Sequence, residues 1–102
     1  MRYITSLDEF KQNINLEKPL CIHFTSKGSM MCPIYGPYFE KQAEFKTDLE
    51  CVKVDIDDCK DIKEFAGVTG VPNFIVFKNG KEVHRVTGAD EEALKELFAK
   101  QF

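Results

Sequence analysis

Leu20-Cys21-Ile22-His23-Phe24-Thr25 is a short, nearly continuous apolar run. A strand with one wet face alternates apolar and polar residues, so a run of this kind belongs to a strand covered on both faces. Its place is the centre of a sheet. By two-residue alternation His23 shares a face with Cys21 and Thr25, opposite Leu20, Ile22 and Phe24. With 102 residues, 43% of them hydrophobic, the chain can build one core and has no room for a second. Residues 1–102 are therefore expected to form a single α/β domain.

The remaining elements follow from local signals. Ser6-Leu7-Asp8-Glu9 is a capping box that opens a first helix, with Leu7, Phe10 and Ile14 at helical spacing, and Pro19 breaks the pattern. From Ser29 to Lys46 the spacing is again helical, with Ile34, Tyr38, Ala43 and Phe45 as its expected buried face. Pro33 suits a first turn, and Pro37 should kink the helix. Cys51 to Ile56 reads as a strand, and Asp57 or Asp58 as the cap of a helix carrying Ile62, Phe65 and Ala66 and ending at Gly67. Asn73–Lys78 and Glu82–Thr87 flank Asn79-Gly80, the dipeptide suited to a type I′ hairpin. Asp90-Glu91-Glu92 opens a closing helix with Ala93, Leu94, Leu97 and Phe98.

A net charge of −3, with both signs interspersed, gives no electrostatic reason to expect nucleic acid or an anionic membrane as partner. No apolar run approaches the ~20 residues of a membrane span, and Met1 to Glu9 lacks the features of a signal peptide. A cytoplasmic location is expected. Cys21 and Cys51 lie in strand-like runs and Cys59 opens a helical pattern, so these three read as reduced, small buried hydrophobes. Cys32 is the one cysteine singled out for chemistry.

Phe24-Thr25, Pro37 five residues after Cys32, Tyr38-Phe39, and Val54-Asp55-Ile56-Asp57-Asp58-Cys59 stand in a fixed order. Val71-Pro72-Asn73-Phe74, Phe77-Lys78-Asn79-Gly80 and Thr87-Gly88-Ala89 continue it. In that order and spacing the chain resembles the thioredoxin family over nearly its whole length. The resemblance implies the thioredoxin fold, a central mixed β-sheet flanked by helices, with thiol–disulfide redox activity and no cofactor. It implies protein thiols or disulfides, glutathione and a thioredoxin reductase as partners, and it matches Val71-Pro72 to the loop that carries the family's cis-proline. The departures gather at the chemistry. Where the family has Trp-Cys-Gly-Pro-Cys, this chain has Gly28-Ser29-Met30-Met31-Cys32, and His23 replaces a buried aspartate. Lys53 matches a lysine that bacterial thioredoxins carry near that aspartate.

A dithiol site needs an outer thiolate to attack a disulfide and an inner thiol to resolve the adduct. Ser29 stands at the outer position and does not ionise near neutral pH, so it is read as a helix cap or as a hydroxyl that hydrogen-bonds an incoming sulfur. Cys32 stands at the resolving position. With Pro33 as first helical residue, Cys32 would itself be the cap, where free amides and the helix dipole favour a thiolate. The resemblance puts His23 beneath Cys32, either as acceptor of the thiol's proton or as a core histidine bonded to a backbone carbonyl. Lys53 would favour the thiolate or else snorkel to water. Met30, Met31, Val71, Pro72, Gly88 and Ala89 would form an apolar rim that holds an extended substrate segment. No zinc-type ligand spacing is present, so no metal is expected. Lys27-Gly28-Ser29 before a single cysteine loosely resembles monothiol glutaredoxins, a minor option beside the gap-free thioredoxin match.

Three functions remain open from the sequence. One is monothiol exchange at Cys32 with dithiol reductase activity weak or lost, and another is a non-catalytic protein-binding module. The third is a Cys-Met-Met-Cys oxidoreductase in which Ser29 was engineered from cysteine to trap substrates.

Overall fold

The computed structural model describes residues 1–102. In chain order it contains α1 (Leu7–Ile14), β1 (Leu20–Thr25), α2 (Cys32–Phe45), β2 (Glu50–Asp55), α3 (Lys60–Ala66), β3 (Asn73–Lys78), β4 (Lys81–Thr87) and α4 (Glu91–Ala99). The apolar run is β1, and it is interior: the sheet order is β2-β1-β3-β4. β1 pairs parallel to β2 and antiparallel to β3, and β3 pairs antiparallel to β4, so the sheet is mixed.

Alternation along β1 splits the core as its sequence requires. Leu20, Ile22 and Phe24 pack with Phe10 and Ile14 of α1 and Ile62 and Ala66 of α3. Cys21 lies in the opposite cluster, with Phe39 of α2 and Leu94 and Leu97 of α4. Each face of the sheet is thus covered by a helix pair. No helix is long and apolar enough to cross a membrane.

The capping box forms with a small shift. Ser6 Oγ accepts from the Glu9 amide at 3.1 Å, while the Glu9 carboxylate accepts from Thr5 at 3.2 Å rather than from Ser6. The extended start docks beside β2, where the Ile4 amide donates to the Lys53 carbonyl and the Lys53 amide to that of Arg2. At the hairpin, Asn79 and Gly80 have φ of 54° and 80°, the pair of positive values that a type I′ turn needs. Gly67 ends α3 in the left-handed region at φ 67°.

Two helices differ from expectation. In α2 the buried residues are Cys32, Gly36 and Phe39, whereas Ile34 and Phe45 are 62% and 75% exposed and Tyr38 and Ala43 are half-buried. A glycine faces inward there because Lys53 of β2 lies against the helix: a Cβ at Gly36 would come within 3.4 Å of Lys53 Nζ. The helix continues through Pro37. In α3, neither Asp57 nor Asp58 is the cap. Cys59 occupies that position without a side-chain bond, and Asp55 Oδ1 instead accepts from the amides of Asp57 and Asp58 at 2.8 and 3.2 Å. The seven-residue α3 buries only Ile62 and Ala66, one turn apart. Phe65 is left at the rim, edge-on to Phe10 at 5.7 Å with Lys11 Nζ 5.2 Å from its ring centre.

Candidate active site

Strand register brings the site segments to one edge of the sheet. Thr25 pairs with Asp55, Phe24 with Asn73, and Asn73 with Thr87. The loops that follow β1, β2 and β4 and the loop that precedes β3 therefore emerge together. Val71-Pro72 is a cis peptide, and the Gly88 amide donates to the Pro72 carbonyl at 2.9 Å, tying two of these loops together. Of the expected rim, Met30, Met31 and Ala89 are exposed, Val71 and Gly88 are half-buried and Pro72 is buried.

Cys32 is the first residue of α2, and Met31 is the cap, so Pro33 sits at the second helical position and Cys32 is not itself the cap. The Met31 side chain makes no capping bond. Its carbonyl accepts from Ile34 and Tyr35, and Ser29 Oγ accepts from the Cys32 amide at 3.3 Å. Ser29 is therefore not the cap residue itself, lying two positions too early in the chain, but its hydroxyl still takes up a free amide at the helix start. Cys32 is only 6% exposed, beside a Met30 that is 87% exposed.

His23 is 1% exposed, stacked on Phe74 with ring centres 4.5 Å apart and tilted against Phe39 at 5.4 Å. Neither ring nitrogen has a hydrogen-bond partner. The structure thus brings His23 into hydrogen-bond contact neither with Cys32 nor with a backbone carbonyl. Burial first, and the Lys53 ammonium second, lower its pKa from 6.5 to about 3. The ring is neutral at physiological pH. Lys53 does not snorkel to water: its side chain is largely buried, with Nζ 3.5 Å from Glu40 Oε2.

The other thiols are held protonated. Burial, then the neighbouring Cys51, pushes Cys21 well up. Burial, then Glu50, pushes Cys51 up to about 12. Cys59 is raised by burial and then by Asp61, Asp58 and Asp55.

Cys32 forms part of the wall of a cleft of about 630 Å³, together with Gly36 of α2, Lys27 after β1, Lys53 and Asp55 of β2, and Asp58. Neither His23 nor any of the six rim residues lines it. Sequence reasoning missed Lys27, Gly36, Asp55 and Asp58 as site residues, because they come from separate segments and no local motif joins them. A glycine inside a helical stretch was the one available signal.

The thioredoxin family model matches residues 2–100. The chain belongs to the thioredoxin family. It is 30% identical to thioredoxin 1 of Plasmodium falciparum over 100 residues, covering 98% of this chain and 96% of that one. The crystal structure of Malassezia sympodialis thioredoxin is similar at a TM-score of 0.92 with 32% identity, covering 96% of this chain and 89% of that one. A structure concerning the thiol-resolving mechanism of yeast mitochondrial 1-Cys peroxiredoxin through glutathione and thioredoxin systems aligns at a TM-score of 0.90 with 27% identity. That alignment covers 97% of this chain and 93% of the other. As a member of the family the chain has its fold, and the departures from the family's pattern are His23 and residues 28–32.

Proposed function

We propose that this member of the thioredoxin family is a single-thiol redox protein in which Cys32 forms mixed disulfides with protein or glutathione thiols. The Cys32 thiolate attacks a disulfide R–S–S–R′, a Cys32–S–S–R bond forms, and R′ leaves as a thiolate that takes up the proton Cys32 gave to solvent. An external thiol then attacks the adduct, releasing Cys32 and carrying R away as a new disulfide. Glutathione and the thiol of a thioredoxin reductase are its expected sources.

The observation that carries this proposal is the placement of Cys32 at the start of α2, in the wall of a cleft that Cys59 also lines, while burial and neighbouring acidic groups or thiols hold Cys21, Cys51 and Cys59 as thiols. Ser29 contributes by occupying the amide of Cys32. It supplies no second thiol, so dithiol reductase activity is weak or lost. His23, neutral and without a hydrogen bond to the thiol, contributes bulk and neutrality rather than a base. Lys53 places a cation on the same cleft. Four unpaired cysteines suit a reducing compartment such as the cytoplasm.

The test is adduct formation with a small disulfide or an unfolded protein disulfide, read by intact mass and peptide mapping. A single covalent adduct at Cys32, lost in Cys32→Ser and released by added thiol, is the expected result. A second proposal, peptide binding without exchange, is favoured by the exposure of Met30, Met31 and Ala89 beside the Val71-Pro72 loop. Binding that persists unchanged in Cys32→Ser with no adduct in the parent protein would favour it over the first.

A further inference from the structure

We infer that the cleft beside Cys32 is a binding site for a small thiol peptide of the glutathione class, one that carries both a free ammonium group and free carboxylates. This rests on the mixed-disulfide chemistry proposed for Cys32 and names the partner that the cleft selects.

Access decides first between a protein and a small molecule. Cys32 is 6% exposed beside a methionine that is 87% exposed. A disulfide on a folded protein has to bring its sulfur in line with a thiol sunk below that surface, whereas a small disulfide enters the cleft. At about 630 Å³, the cleft falls in the range of roughly 300–1,000 Å³ typical of small-ligand sites.

Charge then decides which small molecule fits. The lining carries two ammonium groups, Lys27 and Lys53, and two carboxylates, Asp55 and Asp58. Lys27 and Asp58 are only loosely paired, at 3.8 Å and both exposed, so each can turn to a ligand. Lys53 is fixed by Glu40 at 3.5 Å, and Gly36 puts no side chain in front of it. Asp55 is buried and its Oδ1 accepts two backbone amides, so the exposed Asp58 is the freer partner for a ligand ammonium. Ligand carboxylates face Lys53 and Lys27, an arrangement that a ligand with only positive charge cannot satisfy. None of the rim residues lines the cleft, so this ligand does not need the surface that an extended peptide would occupy.

With glutathione disulfide as oxidant, the Cys32 thiolate attacks one sulfur, the Cys32–S–S–glutathione bond forms, and one glutathione leaves as thiolate to be protonated by solvent. Free glutathione reverses the step by attacking the glutathionyl sulfur, which regenerates glutathione disulfide and the Cys32 thiol.

The experiment compares glutathione disulfide with cystamine, a small disulfide of only positive charge, on the reduced full chain, following Cys32 by peptide mass spectrometry. Iodoacetamide serves as an uncharged probe of the same thiol. Glutathione disulfide is expected to react about tenfold faster than cystamine, as one charge-assisted contact allows. The ratio should collapse in Lys53→Met and fall in Lys27→Met, a substitution on an exposed side chain that leaves the fold intact should Lys53→Met fail to fold. Equal or faster reaction with cystamine in the parent protein, while iodoacetamide still labels Cys32, would overturn the cleft assignment alone, as would a ratio unmoved by both substitutions. Cys32 inert to all three reagents in the folded protein would overturn the mixed-disulfide chemistry with it.

Discussion

His23 shows how far one residue can depart from its expected role. The imidazole lies between Phe39 and Phe74 with both nitrogens unpaired, and its pKa is lowered to about 3. The unfolded chain binds a proton at this ring below about 6.5, while the folded chain does so only near 3. Between those values the unfolded state holds more protons, so stability falls as pH falls, by up to about 1.4 kcal/mol per pH unit from this group. His23→Leu gives up no hydrogen bond. Its urea-unfolding stability is expected to match or exceed that of the parent at pH 7 and to fall less between pH 6.5 and 4. An identical pH slope in both proteins would mean that the ring finds a partner when protonated. At Ser29 the expectation is smaller: Ser29→Ala removes the oxygen that accepts the Cys32 amide and should cost about 0.5–2 kcal/mol in the same assay.

Among the elements, the β3–β4 hairpin is where local chemistry decides most. Gly80 has φ 80°, and its amide donates to the Ile14 carbonyl at 2.8 Å, so the turn also anchors the end of α1. A Cβ there would run into the Asn15 side chain. Gly80→Ala is expected to lower the urea midpoint by about 1–2 kcal/mol of stability with an unchanged m-value, and an unaltered midpoint would show that the turn relaxes without strain. The strands, the hairpin and three of the helix ends were legible because each is written in neighbouring residues: an apolar run, Asn-Gly, Ser-x-x-Glu, a terminal glycine. The buried face of α2 was not. Its inward residues are chosen by the approach of Lys53 to Gly36 across some seventeen positions of sequence, and hydrophobicity pointed instead to Ile34 and Phe45. The α3 cap was missed for a related reason: Asp55 on the preceding strand accepts from the amides of Asp57 and Asp58, which lie in the turn before the helix, and Cys59 takes the cap position. The site divides the same way. Ser29 and Cys32 are three residues apart and their relation is local, while the cleft draws on the loop after β1, on β2 and on α2.

For the whole molecule, the thioredoxin fold sets Cys32 at the start of α2, with the Ser29 hydroxyl on its amide, and on the proposed reading a second thiol at position 29 would complete a dithiol. Ser29→Cys should therefore yield insulin-type disulfide reduction where the parent shows little or none, and no gain would count against the placement of residues 29 and 32 as a redox pair. The central claim, that Cys32 is the working thiol of the folded protein, is tested most directly by native-state alkylation, with all four cysteines followed by peptide mass spectrometry against a Cys32→Ser control. Cys32 is expected to label in the native protein without need of denaturant and ahead of Cys51 and Cys59, whose thiols are held protonated, while the fully buried Cys21 waits for unfolding. Labelling of Cys32 only in step with Cys21, as the protein unfolds, would contradict it.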